Sequence, residues 1–233
     1  MAGDALVFDL RQVVYALSDA LDLVGVDDVA HGKRVGIMSA LCARVMGWSV
    51  DEQTLLFDLG MLHDIGVSST QTHLHLLQEF DWPGSQEHAQ LGYRLLREFG
   101  PLAHLAVPIR YHHTRWDKLV AMVPDALTMA QALQANMVYM TDRIDTFAAP
   151  FYGAQLFDHV ADIQQRVRSV SGTYFAPELV DAFMKASQAE SFWLMLEPRS
   201  VQLYLQDQLG HGQSPRVGMR ELHVLASIFS RIV

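Results

Sequence analysis

An all-α fold is predicted from three observations. Apolar residues recur with helical period through almost every segment, capping signals punctuate them, and no alternating strand of useful length appears in the 233 residues. Half of the residues are hydrophobic, which at this length supplies one substantial buried core. The start, "FDLRQVVYALSDALDLV", reads as an amphipathic helix. "HGKRVGIMSALCARVMG" places Val35, Met38, Leu41, Cys42 and Val45 on one stripe and stops at Gly47, a residue suited to a left-handed C-cap. "SVDEQTLLFDLGMLHDIG" opens with Ser49 and carries Glu52 three positions on, a capping box, with Leu55, Leu56, Leu59 and Leu62 directed to a core. "SQEHAQLGYRLLREFG" follows the Pro83-Gly84 break, takes Ser85 as N-cap and ends at Gly100. Further helices are expected at about 101–113, 125–147, 155–170, 177–196 and 217–232. "EPRS" at 197–200 and the polar "GHGQSPR" at 210–216 mark boundaries. The last helix loosely resembles the first, either because two amphipathic helices look alike or because it leads into a second, related domain.

Charge and composition narrow the function. A net charge of −9 argues against broad binding to DNA, RNA or anionic membrane, all of which rely on clustered Lys and Arg. Cys42 is the only cysteine, so no internal disulfide forms and a reducing compartment fits. There is neither an apolar run of membrane-spanning length nor a signal-peptide pattern at the start, and a soluble cytoplasmic protein is expected.

The chemistry sits in the histidines. "GMLHDIG" sets His63 beside Asp64 at the end of an apolar helix. Adjacent helical side chains point about 100° apart, so they converge only on a small object at the helix end, such as a metal ion. Of the 11 histidines, His31, His63, His88 and the pair His112-His113 fall at helix ends or junctions. Imidazole with carboxylate suits divalent transition metals. Asp142 in "VYMTDRIDTF" follows Met137, Val138 and Met140 on a helix expected to be buried. A buried carboxylate there needs either a metal or an ion pair with Arg143 or Arg110.

In this order, "HGKRV", "LHDIG", "HAQLGYRLL", "HHTRWD", "TDRIDTF" and "GTYFAPELVDAF", spread over residues 27 to 186, resemble the HD superfamily of metal-dependent phosphohydrolases, specifically its HD-GYP branch of cyclic-dinucleotide phosphodiesterases. The resemblance implies a compact helical bundle over 1–196, with the metal-site core at about 27–150 and 197–233 as a C-terminal extension, a linker helix to a further domain in one reading. It implies two divalent ions, Fe or Mn first and Zn, Ni or Mg as alternatives. His31, His63, Asp64 and Asp142 match the central ligands, Asp64 as the bridging carboxylate; His88, His112 and His113 match the ligands of the second ion. Asp27 stands where some members have an acidic ligand to a third metal; a solvated carboxylate at a helix start is the alternative for Asp27 or Asp28.

Two departures stand out. The lysine that usually follows HDxG is Val67 here, and the Gly-Tyr-Pro signature after "HH" is replaced by a run into Lys118, Leu119 and Val120. Phosphate contacts are then expected from Lys33, Arg110, Arg115, Lys118 or Arg143, with Arg115 first and an Arg115–Asp117 ion pair as its alternative. Trp116 stacks on a base or belongs to the core, and His73 and His75 lie close enough in sequence to reach the site. His104, His159, His211 and His223 have no companions. Two divalent ions about 3.5–4 Å apart both activate water and neutralise phosphate oxygens, so no side-chain nucleophile is required, with His63 and Asp64 at the centre of the chemistry. Three functions remain open: hydrolysis of a cyclic dinucleotide, a catalytically weak metal-containing regulatory or sensor module of a larger signalling protein, and a mononucleotide phosphatase of the wider superfamily.

Overall fold

A computed structural model describes residues 7–25, 30–67, 85–153, 155–211 and 216–229. The expected all-α class holds: among the described residues there are twelve α-helices, two 3₁₀ turns and one pair of three-residue strands. The helices are α1 (Leu10–Gly25), α2 (His31–Val45), α3 (Val50–Leu62), α4 (Ser85–Arg97), α5 (Ala106–Tyr111), α6 (Trp116–Met122), α7 (Met129–Ala148), α8 (Leu156–Ser169), α9 (Pro177–Ala186), α10 (Glu190–Leu194), α11 (Pro198–His211) and α12 (Met219–Phe229). No described helix is long and apolar enough to cross a membrane.

The bundle is organised around α2 and α7. Instead of one buried stripe, α2 is buried on every side from His31 to Ala43, Lys33 and Arg34 included. Close approach makes this possible. A Cβ on Gly60 would lie 2.4 Å from the Gly36 Cα, and one on Gly36 would lie 2.5 Å from the Phe57 carbonyl oxygen. Only glycine at both positions lets the backbones of α2 and α3 touch, and that contact brings the start of α2 against the end of α3. A Ser39–Thr141 hydroxyl pair at 2.8 Å ties α2 to α7 inside the core.

The capping signals at Ser49 and Gly47 act as expected, whereas Ser85 is the first residue of α4, which ends at Arg97 before Gly100. Ser49 accepts from the Glu52 N–H while the Glu52 carboxylate accepts from the Ser49 N–H, and α2 ends before Gly47 at φ 78°. Several boundaries differ. The segment expected as one helix at 101–113 is a 3₁₀ turn, Gly100–Leu105, running into the short α5. The expected 177–196 helix breaks at Ser187, whose carbonyl accepts from the buried Trp193 indole at 3.0 Å and from the Gln164 amide at 3.3 Å. α6 and α11 were not anticipated, and α11 begins inside the "EPRS" boundary.

Val7–Asp9 and Arg216–Gly218 pair antiparallel, with Asp9 opposite Arg216. Three residues are too few for alternation to register, so these strands escape a reading based on periodicity. The pairing, the burial of Val217, Leu225 and Val201, and Tyr204 packed against Phe57 lay the C-terminal segment on the bundle.

Candidate metal centre

Four helix ends and one helix interior meet at a single buried focus. His31 is the first residue of α2, His63 is the C-cap of α3 and Asp64 follows it, so both sit one step later than the last helical turn. His88 lies in the first turns of α4, His112 and His113 follow α5, and Asp142 faces inward from α7. All seven are brought together, in two groups whose ligand-type atoms lie within 4.8 Å of one another: Asp64, His88, His112 and His113 in one, His31, His63 and Asp142 in the other.

Gly66 seats the HD turn against α4. A Cβ there would stand 2.0 Å from the His88 carbonyl oxygen and 2.6 Å from the Gly92 nitrogen. Asp64 is placed between the groups: Oδ1 is 3.4 Å from His88 Nε2, while Oδ2 is 3.4 Å from His63 Nε2 and 4.0 Å from His31 Nε2. Its side chain is 17% exposed against 3% for Asp142, so the focus opens on the Asp64 side.

The outer nitrogens determine how the inner ones are presented. His63 Nδ1 donates to the Gly60 carbonyl at 2.7 Å and His112 Nδ1 to the Ile109 carbonyl at 2.6 Å. Both rings therefore turn an Nε2 lone pair inward. His63 Nε2 is buried without a hydrogen-bond partner. His88 Nε2 lies 3.3 Å from His112 Nε2 and 3.1 Å from His113 Nε2, three ring nitrogens crowded where at most a shared proton relieves the repulsion.

Electrostatics point the same way. Burial, then the neighbouring His88 and His63, pushes His112 down to about 3, and burial with His112 and His88 holds His113 well below its usual range. Both are neutral at physiological pH, the form that binds metal. For His31, burial lowers the basicity but hydrogen bonds to Asp142 and Asp145 outweigh it and raise it to about 10. Positive charge is thus favoured at Nε2, 3.4 Å from Asp142 Oδ1. Against the cost of burial, Arg143 and His31 hold Asp142 well below the carboxylate range. Inward lone pairs, an ionised Asp142 and an unpartnered buried nitrogen fit divalent cations at this focus.

The cations chosen from sequence go to varied places. Lys33 is buried and turned to Asp19 on α1 at 2.8 Å, away from the focus. Arg143 is buried and donates to Asp142 Oδ2 at 2.9 and 3.2 Å, so the ion pair and the inward-facing Oδ1 of Asp142 coexist. Lys33 and Arg143 are thus both buried against carboxylates. Arg110 lies on the Tyr93 and Tyr111 rings, lining a cavity of about 520 Å³ with Gln86, Glu87, Gln90 and Arg94. Arg115 is at the rim, bonded to Asp117 at 2.6 and 3.2 Å and lying 4.4 Å from the Tyr174 ring centre. Trp116 packs, half-buried, against the core, and Val67 is buried with its N–H on the Asp64 carbonyl. His159 stacks on Phe151 and His223 is exposed. Asp27, Asp28, His73 and His75 lie outside the described residues.

Asp145 was missed. Its Oδ2 accepts from His31 Nδ1 at 2.8 Å, and Arg34 grips both its oxygens at 2.7 and 2.9 Å. The available signal was the spacing of Asp142 and Asp145, three apart and hence on one helical face.

An HD domain profile matches residues 29–146, a span that contains both groups. The 3'3'-cGAMP-specific phosphodiesterase 1 of Vibrio cholerae is 31% identical over 97% of this chain and 53% of its own length. The cyclic di-GMP phosphodiesterase of Thermotoga maritima is 26% identical over 77% of this chain and 49% of its own. This chain spans about half the length of both. A crystal structure of a cyclic GMP-AMP specific phosphodiesterase of V. cholerae superposes with a TM-score of 0.72 over 97% of this chain and 60% of its own, at 16% identity, a likeness of fold. With half of its length matched by the profile and its paired His and Asp groups inside the match, the chain belongs to the HD domain family.

Proposed function

We propose that this chain is a metal-dependent phosphodiesterase of the HD-GYP branch with an altered Gly-Tyr-Pro loop, and that it opens a cyclic dinucleotide. The observation that carries the reading is the position of Asp64, one oxygen towards each group. His31, His63 and Asp142 would hold one divalent ion and His88, His112 and His113 a second, with Asp64 placed between the two groups. Fe or Mn is expected first, with Zn, Ni or Mg as alternatives. Such ions supply water activation and charge neutralisation at phosphate. The chain's own residues do the rest. Water adds to phosphorus, the ester P–O bond breaks and the proton ends on the departing alcohol, with Asp64 placed at the open side of the focus and Arg115 at the rim for phosphate.

A regulatory module that keeps the metals is favoured by two observations: Val67 is buried where a lysine would face phosphate, and Arg115 is bonded to Asp117. The experiment incubates the Mn-loaded chain with cyclic di-GMP and with 3'3'-cGAMP and resolves linear products chromatographically. Turnover that Asp64→Ala abolishes, and that Arg115→Ala weakens mainly through KM, supports the enzyme. Nucleotide binding with no product over hours transfers the assignment to the regulatory module.

A further inference from the structure

We propose that Asp145 is a positioning residue for one ion of the pair: it holds His31 for the His31–His63–Asp142 group and leaves the His88–His112–His113 group untouched. This rests on the two-ion reading above. Asp145 is fully buried on α7, one turn beyond Asp142. Its acceptor capacity is fully used. Arg34 Nε donates to Oδ1 at 2.7 Å and Nη2 to Oδ2 at 2.9 Å, His31 Nδ1 donates to Oδ2 at 2.8 Å, and the Tyr152 hydroxyl donates to Oδ1. A carboxylate offers about four lone-pair sites, so Asp145 cannot turn without breaking a bond. The Arg34 guanidinium is itself braced, 4.4 Å from the Tyr152 ring centre.

The consequence falls on His31. With the proton of Nδ1 committed to Asp145, Nε2 is the nitrogen turned to the focus, 3.4 Å from Asp142 Oδ1, where a bound cation would take the place of its proton. An anionic partner also makes that nitrogen a stronger donor than a carbonyl partner does. The outer nitrogens of His63 and His112 have only carbonyls, those of Gly60 and Ile109. Two chemically similar groups thus differ in their support, and removing the charge of Asp145 weakens one of them selectively.

The probe is Mn²⁺ alone, titrated into metal-stripped full chain, with bound ions counted by elemental analysis and ion–ion coupling read by electron paramagnetic resonance. Asp145→Asn keeps the shape and loses the charge. It should bind one ion with affinity within about threefold of wild type and the other 10–100-fold more weakly, with the coupled signal replaced by that of an isolated ion. Because this variant leaves Arg34 buried against a neutral amide and risks the fold, Tyr152→Phe serves as the mild second test. It removes one donor from Asp145 and should weaken the same ion about threefold, with circular dichroism unchanged. In a His31→Ala background, Asp145→Asn should change metal binding less than twofold, since the effect runs through the imidazole. Equal retention of both ions, equal loss of both, or an effect that persists without His31 overturns the proposal. A wild-type chain that takes up no second ion removes the two-ion reading, and this inference with it. No cyclic dinucleotide enters the assay, so a wrong substrate leaves the outcome unaffected.

Discussion

Replacing Gly66 by alanine should disconnect the HD turn from α4 and cost both stability and metal. The added methyl group would be 2.0 Å from the His88 carbonyl oxygen, whereas ordinary contact begins at 3.4 Å, so α4 or the turn must move by about 1.4 Å. The obstructing atoms are backbone, of His88 and Gly92, and no rotamer change relieves them. Overpacking costs about 1–3 kcal/mol where side chains can yield, and a backbone clash belongs at the upper end, about 3 kcal/mol. For a chain of this size that corresponds to a Tm lower by roughly 6–12 °C. The same displacement carries His88 away from Asp64, whose Oδ1 now stands 3.4 Å from Nε2. Thermal unfolding by circular dichroism and metal per chain are read together. Gly172→Ala is the control: nothing lies within 4 Å of its added Cβ, but φ is +77°. It should cost about 1 kcal/mol or somewhat more through backbone strain, with metal content unchanged. A Gly66→Ala protein with wild-type Tm and full metal would show that α4 does not depend on this contact and would refute the reasoning.

Three further outcomes are expected. His63→Ala combined with Asp64→Ala should reduce bound Fe or Mn from about two ions per chain to well below one, measured by elemental analysis, because it deletes one ligand and the bridge; equal metal in both proteins would refute the site. Asp58 on α3 is raised from 3.8 to about 6, burial outweighing the attraction of Arg11. Between those values the folded state binds more protons than the unfolded one, so stability falls as pH rises from about 4 to 6. Asp58→Asn should therefore stabilise the protein by about 1–3 kcal/mol at pH 7.5 and by almost nothing at pH 4, as read from denaturant unfolding at the two pH values. Ser49→Ala removes the acceptor for the Glu52 N–H and should cost about 1 kcal/mol without changing metal content.

The candidate metal focus was legible because its residues are chemically unusual where they stand. A histidine beside an aspartate at a glycine-terminated helix end, and an aspartate among Met137, Val138 and Met140, have few uses in a core. What surrounds them was not legible, because long side chains reach partners fixed only by packing. Lys33 and Arg34 are neighbours in sequence, yet one goes to Asp19 and the other to Asp145, 111 positions away. These two charges also obscured the burial of α2, whose apolar pattern shows one stripe although the helix is enclosed on all sides. The strand pair joins the two ends of the described chain, a separation over which no local pattern carries information.

The run after His113 is built apart from the two His and Asp groups, and this has a consequence for how the chain's chemistry divides. After His113 the chain enters α6, where Leu119 joins Leu127 and Ala132 in a small core of its own. The N–H groups of Trp116 and Asp117 bond to the carbonyls of Tyr174 and Thr173, each at 3.0 Å, fastening the rim to the loop at 171–176. That loop is held from the other side by Asn136 on α7, whose amide donates to the Tyr174 carbonyl at 2.9 Å and accepts from the Ala176 N–H at 2.8 Å. Arg115 lies on Tyr174 in consequence, its guanidinium oriented by Asp117 on one side and an aromatic face on the other. The ligand residues depend on none of these bonds: their supports are the Gly36–Gly60 contact, Gly66 and the carbonyls of Gly60 and Ile109. On the proposed reading, metal binding and the contacts that meet a substrate would therefore be built by different segments. Asn136→Ala, which releases the rim loop from a core position on α7, should alter nucleotide KM while leaving the metal count at its wild-type value; loss of metal in that variant would show that the two are mechanically coupled after all.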